Sequence, residues 1–222
     1  MSSSFVIVGA GPGLGVAMAK RFAAGGWGVG LIARDQPAID VSTEALADAG
    51  VPVATALADV TDEAALDAGL RSVADSLGGI DVAVYNASIF QAEPALDLTT
   101  DALMLALRIH VLGALNTAKS AVSLMQSADH GVVVFTINTL ALHPEAASTA
   151  LSIGKGAQHN LALSLELELL DTGIKVAIVE ITKPIAPGTA FDPENIAETY
   201  WKIAQQSPES FQRDHVFDGT GF

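Results

Sequence analysis

Short apolar runs, separated by polar and glycine-rich stretches, recur from one end of the chain to the other. They lie at residues 5–8, 29–33, 53–57, 80–86, 132–137, 175–181 and, more weakly, 214–217. Most are rich in Val and Ile. Several are continuous rather than alternating, as expected of strands covered on both faces. Helical patterns occupy the intervals, at 14–24, 43–49, 62–77, 101–126, 148–170 and 193–206. Strands alternating with helices imply parallel strands joined by right-handed crossovers. The pattern therefore predicts an α/β protein built on a doubly wound parallel sheet of about seven strands, with helices on both faces. No linker, repeat or low-complexity tract interrupts it, so residues 1–222 are read as one domain.

One segment sets two periodicities against each other. From Leu161 to Leu169 leucine or alanine stands at each end and in between at every second position, as on a half-buried strand. Yet the segment is Leu, Ala, Ser and Glu with no β-branched residue, and Leu, Ala and Glu are strong helix formers. Gly173 then stands where a helix would stop. Helix is the better prediction, with Leu161, Leu165 and Leu169 on one stripe.

Composition narrows the classes. Half the residues are hydrophobic and the mean hydropathy is +0.42, in keeping with a sheet buried on both faces. No apolar run reaches the roughly 18 residues of a membrane span, and the run at 5–8 has neither basic leader nor cleavage site. The chain has no cysteine. That excludes disulfides, thiolate metal sites and cysteine nucleophiles, and leads to a cytoplasmic expectation. A net charge of −14 argues against nucleic acid and anionic membranes as partners. The five histidines show no metal-ligand spacing, so no metal is expected.

The strongest local signal is Gly9-Ala10-Gly11-Pro12-Gly13-Leu14-Gly15, which follows the first apolar run and opens the first helix. Glycines at such a turn allow a tight bend and close backbone approach, and the helix N-terminus faces a pyrophosphate. A dinucleotide site at Gly9, Gly11, Gly13, Leu14 and Gly15 is the expectation. The G-x-G-x-x-G spacing fails, since its last position falls on Leu14 or Val16; Gly9-x-x-x-Gly13-x-Gly15 fits.

That spacing resembles the short-chain dehydrogenase/reductase family, and the similarity extends over almost the whole chain. Ala58-Asp59-Val60-Thr61 looks like the family's aspartate-valine site beside the adenine ring, and Asn86-Ala87 like part of its Asn-Asn-Ala-Gly strand end, with Tyr85 and Ser88 departing. The resemblance implies a Rossmann-type fold, with Asp59 and Val60 at the adenine and Asn86 and Ala87 bracing the cofactor pocket. Asp192-Pro193-Glu194-Asn195-Ile196-Ala197-Glu198-Thr199-Tyr200-Trp201 is similar to a stretch in a divergent branch of the family. At the end of the second strand, Ala33 stands in the usual acidic position and Arg34 follows it. An arginine there accommodates the 2′-phosphate of NADP. NADP is favoured; Asp35 keeps NAD as the alternative.

The catalytic positions depart. In the family a tyrosine four residues before a lysine moves the proton, and the lysine holds the nicotinamide ribose. Lys155 is present, but Leu151 stands at the tyrosine position and has no titratable group. The family's serine position falls on Asn138, with Thr139 beside it, and the asparagine of the long middle helix corresponds to His110. Lys155, Asn138, His110 and Thr139 are thus the catalytic candidates; His143, on the loop after the fifth strand, is a further acid–base candidate because histidine titrates near neutral pH, and Ser148 and His159 stand one turn before Leu151 and one turn after Lys155. Ile181-Thr182-Lys183-Pro184 lacks the family's Pro-Gly pair, and little chain follows it for a substrate lid.

Two functions stay open. One is an NADP(H)-dependent oxidoreductase acting on the carbonyl or hydroxyl of a small molecule through a non-standard proton donor. The other is a catalytically inactive dinucleotide-binding protein that senses redox state or binds a partner. The resemblance also implies a homodimer or homotetramer through helices 101–126 and 148–170.

Overall fold

The computed structural model describes residues 3–126 and 128–220. Its strands are β1 (Ser4–Val8), β2 (Gly28–Ala33), β3 (Val53–Leu57), β4 (Val82–Tyr85), β5 (Gly131–Asn138), β6 (Ile174–Ile181) and β7 (Asp214–Phe217). All pair in parallel, in the order β3-β2-β1-β4-β5-β6-β7. This is the doubly wound, Rossmann-type sheet expected from the pattern. Val8 pairs with Ile32 on one side and Tyr85 on the other. Chain order reverses between β1 and β4, the topological switch point at which open α/β sheets bind ligands.

The continuous apolar runs divide their side chains between two cores. Phe5, Ile7, Val29, Leu31, Val82 and Val84 pack with α1 (Leu14–Ala24) and α7 (Pro193–Ala204). Val6, Val8, Ile32, Ala83, Tyr85 and Phe135 turn to the other face, toward α3 (Glu63–Leu77), α5 (Ala114–Met125) and α6 (Thr149–Glu168). Period two within an unbroken apolar run is what two covered faces require. All of the ambiguous segment but Leu169, which follows the last helical residue, lies in α6, and Leu161, Leu165 and Leu169 pack on that second core. No helix among the described residues is long and apolar enough to cross a membrane.

Two helices differ from expectation. The second helix, α2, runs Gln36–Glu44 and not 43–49. Asp35 caps it by accepting from Ala38 N at 3.1 Å, and Pro37 sits in its first turn, where its fixed φ suits a helix start. The long middle helix is not uniform: α4 (Thr100–Leu107) passes through a π-helical turn, Arg108–Gly113, into α5. The Tyr85 hydroxyl, at the end of β4, donates to the Ile109 carbonyl in that turn. A π turn displaces carbonyls from the regular ladder, and here a buried phenol receives one of them. Burial raises the tyrosine pKa well above its usual range. Tyr85→Phe would leave the Ile109 carbonyl without this donor, with an expected loss of about 2 kcal/mol of stability. Urea unfolding checks it, and an unchanged midpoint would show that the phenol is idle there.

Candidate active site

An open cleft runs along the carboxyl ends of the strands, over the switch point. Its two halves, about 850 Å³ and about 780 Å³, share Gly9, Gly11, Pro12, Asn86, Ser88 and Phe90. The first half extends over β2 and β3, past Arg34 and Asp59; the second extends over β5 and β6, past Asn138 and Lys155.

The glycine turn is shaped by contact as much as by conformation. Gly9 has φ +95°, and a Cβ on it would stand 2.5 Å from Ala87 N. The turn can therefore lie against β4 only with hydrogen at this position. Asn86 Nδ2 donates to Gly9 O at 3.1 Å, which ties the two strand ends together. A Cβ at Gly15 would meet Ala10 Cα at 3.3 Å, so this glycine brings α1 close to the turn. Gly11 is different: nothing lies within 4 Å of a Cβ there, and the space belongs to the cleft. Gly13, Leu14 and Gly15 line the cleft where α1 begins. That end has no side-chain cap and no acidic residue in its first turn, so its free N–H groups and positive dipole end suit an anion. The cradle fits a pyrophosphate, and the flanking halves fit the two nucleosides.

In the first half, Ala33 is buried at the end of β2, and Arg34 points outward with its side chain 75% exposed. Arg34 Nε lies 3.4 Å from Asp35 Oδ2, while the other Asp35 oxygen caps α2. Asp59 accepts from Thr61 N and Thr61 Oγ1, each at 2.8 Å. These hydrogen bonds, the backbone one foremost, lower its pKa below the usual carboxylate value. Ala58, Val60, Asn86 and Ala87 complete this wall.

The second half brings together Lys155, Leu151 and Ser148 from one stripe of α6, with Asn138 and Thr139 from the end of β5. Leu151 is 6% exposed and faces the cleft one turn from Lys155, where it offers hydrocarbon. Ser148 occupies the N-cap position of α6 without capping it. Asn138 lines the same space, and its Oδ1 is buried without a hydrogen-bond partner. Thr139 is engaged elsewhere, its hydroxyl donating to Glu180 Oε1 at 2.9 Å. Lys155 Nζ donates to Thr136 O at 2.8 Å and to Gln158 Oε1 at 3.1 Å. Burial lowers its pKa to about 7.

His110 requires a correction. It does not line the cleft; it is fully buried beneath α6, where a Cβ on Gly154 would meet its Cδ2 at 2.7 Å. Its Nε2 faces Ile89 O at 3.1 Å, and burial, aided by Lys155, pushes its pKa down to about 3. A ring held neutral and packed in this way has no proton to give near neutral pH. His143 is exposed on the loop after β5 and is absent from both halves. Sequence reasoning missed Gln158, although its place one turn after Lys155 on the same helix was a usable signal.

Known proteins resemble the chain in sequence and in fold. The family model described as short chain dehydrogenase matches residues 4–189. A protein of Staphylococcus epidermidis named as an uncharacterized oxidoreductase is 25% identical over 202 residues, 87% of this chain and 86% of its own. A metagenomic short-chain oxidoreductase crystallised with NADP superposes with a TM-score of 0.88 at 23% identity, covering 96% of each chain. An alcohol dehydrogenase of Thermococcus sibiricus, complexed with 5-hydroxy-NADP, gives 0.89 at 19% identity, covering 97% of this chain and 96% of its own.

Proposed function

The chain belongs to the short-chain dehydrogenase family, and from that premise we propose that it is an NADP(H)-dependent oxidoreductase acting on a small molecule. One observation carries the reading: a continuous cleft passes from Arg34, across the uncapped start of α1, to Lys155. Relatives named as oxidoreductases and the NADP complex of a structural neighbour support it. When bound, the nicotinamide supplies or accepts a hydride. Gly9 to Gly15 would hold the pyrophosphate, Arg34 the 2′-phosphate, Asp59 and Val60 the adenine, and Lys155 the nicotinamide ribose.

Arg34 favours NADP because its guanidinium is largely exposed at that end and touches Asp35 only at 3.4 Å through Nε, while the other Asp35 oxygen caps α2. Calorimetric titration with NADPH and NADH, each in both oxidation states, tests this. NADPH is expected to bind at micromolar strength, and Arg34→Ala to weaken it about tenfold by removing charge-assisted contacts to phosphate. NADH should be indifferent to the change. Failure of all four dinucleotides to bind would overturn the proposal.

A second reading keeps the binding and drops the turnover. The observation favouring it is Leu151, which puts hydrocarbon where the family has its proton donor. A hydroxyl at Ser148 and an amide at Asn138 can orient a polar substrate, but neither titrates near neutral pH. A screen of carbonyl substrates with bound NADPH separates the two readings.

A further inference from the structure

Lys155 keeps neutral company. Its two hydrogen-bond acceptors are a main-chain carbonyl, Thr136 O, and a side-chain amide, Gln158 Oε1. Gln158 has no exposed surface, and its own Nε2 reaches the same Thr136 carbonyl at 3.4 Å. This fixes the amide's orientation. Rotated by half a turn, it would set its N–H groups against the ammonium and its oxygen against a carbonyl oxygen. Thr136 is itself held from the opposite face of the sheet, where its Oγ1 lies 2.7 Å from the Tyr200 hydroxyl. Of the ionisable groups around Lys155, His110 approaches from the π turn and is neutral. Glu145 and Lys183 line the same half of the cleft, Glu180 on β6 accepts from Thr139, and His159 lies one turn further along α6.

Resting on the dinucleotide reading, we propose that Gln158 is a positioning residue. It holds Lys155 against β5 through a neutral amide, so that no carboxylate fixes the charge this lysine presents to the cofactor cleft. An ammonium has three N–H donors. Two are used on Thr136 and Gln158, and the third is left for an oxygen of the bound ligand. Burial brings the lysine's pKa to about 7, and an acceptor 3.1 Å from Nζ favours the ammonium against that burial. Dinucleotide affinity then falls as pH rises and Lys155 loses its proton.

The test uses the full chain, with lysine labelled with ¹³C at Cε and the Lys155 signal identified by its loss in Lys155→Met. The native signal is expected to titrate near neutral pH. Gln158→Glu should move the midpoint up by at least about one unit, because a carboxylate stabilises the ammonium. Gln158→Met should move it down. In parallel, NADPH affinity of the native protein is expected to fall about tenfold between pH 6 and 8.5 as the charge is lost. Gln158→Glu should flatten that profile, and Gln158→Met should weaken binding at pH 7. A midpoint that stays put in both folded variants overturns the role of Gln158, whatever NADPH does. Midpoints that shift as expected, with no NADPH bound at any pH, overturn the dinucleotide reading instead.

Discussion

Gly9→Ala is expected to abolish dinucleotide binding and to cost about 2–5 kcal/mol of stability, combining left-handed backbone strain with overpacking. Both terms come from one position. The backbone there has φ +95°, and the added methyl would stand 2.5 Å from Ala87 N and 2.7 Å from Ala87 Cα. These are main-chain atoms of the segment leaving β4, so no side-chain rotation relieves the clash. Either the turn or the Asn86–Ala87 segment must retreat, and the Asn86 hydrogen bond to Gly9 O would be lost with it. Gly11→Ala is the matched control. A Cβ there meets nothing within 4 Å, so stability should hold while the methyl intrudes on the cleft and weakens NADPH. Urea unfolding and calorimetry of the two variants give the answer. A Gly9→Ala protein as stable as the native one would mean that β1 and β4 do not meet as described.

The double variant Leu151→Tyr with Asn138→Ser is expected to raise NADPH-dependent ketone reduction at least about a hundredfold, the scale of an added general acid. Leu151 faces the second half of the cleft one turn before Lys155, so a tyrosine at this position would place its hydroxyl in that space. Lys155 behind it would lower the phenol's pKa by its charge. Serine at 138 replaces an amide whose oxygen is buried without a partner by a hydroxyl suited to a carbonyl oxygen. Absorbance at 340 nm under saturating NADPH reads the rate. Activity confined to the double variant would assign the native chain to binding without carbonyl turnover. Equal rates in both proteins would mean that another group moves the proton. If the double variant binds NADPH and reduces no ketone, the stripe Ser148–Leu151–Lys155 does not face the substrate.

The sheet was legible because its strands advertise themselves. Val and Ile crowd runs bounded by Gly, Asp and Pro, and the structure places each of the seven runs in a strand. The helix over Leu161–Leu169 was legible because propensity outweighed a misleading alternation. The second helix was misplaced although its signal was present: Asp35 as cap and Pro37 in the first turn are local chemistry that an apolar-periodicity search passes over. The π turn lay beyond any local reading. It coincides with a hydroxyl on Tyr85 reaching the Ile109 carbonyl, a contact between residues far apart in sequence. His110 was misjudged for a related reason. Sequence gives a histidine's ability to titrate, but only packing reveals that Gly154 lets α6 lie directly on the ring. The cofactor end, built from backbone and glycine, is written locally; the chemistry end depends on which side chains long-range packing exposes.

The place of β1 in the sheet also bears on how the chain is made. Ser4–Val8 lies between β2 and β4 in the sheet, yet β4 begins only at Val82, long after β1 has been synthesised. At synthesis rates of about 5–20 residues per second, its second flank stays open for several seconds. Throughout that interval Phe5, Val6, Ile7 and Val8 form an unpaired apolar edge, the kind of surface that recruits chaperones or nascent neighbours. The strand that leads into the glycine turn thus waits for its second partner while the chain is made, and slower translation before Val82 would prolong the wait.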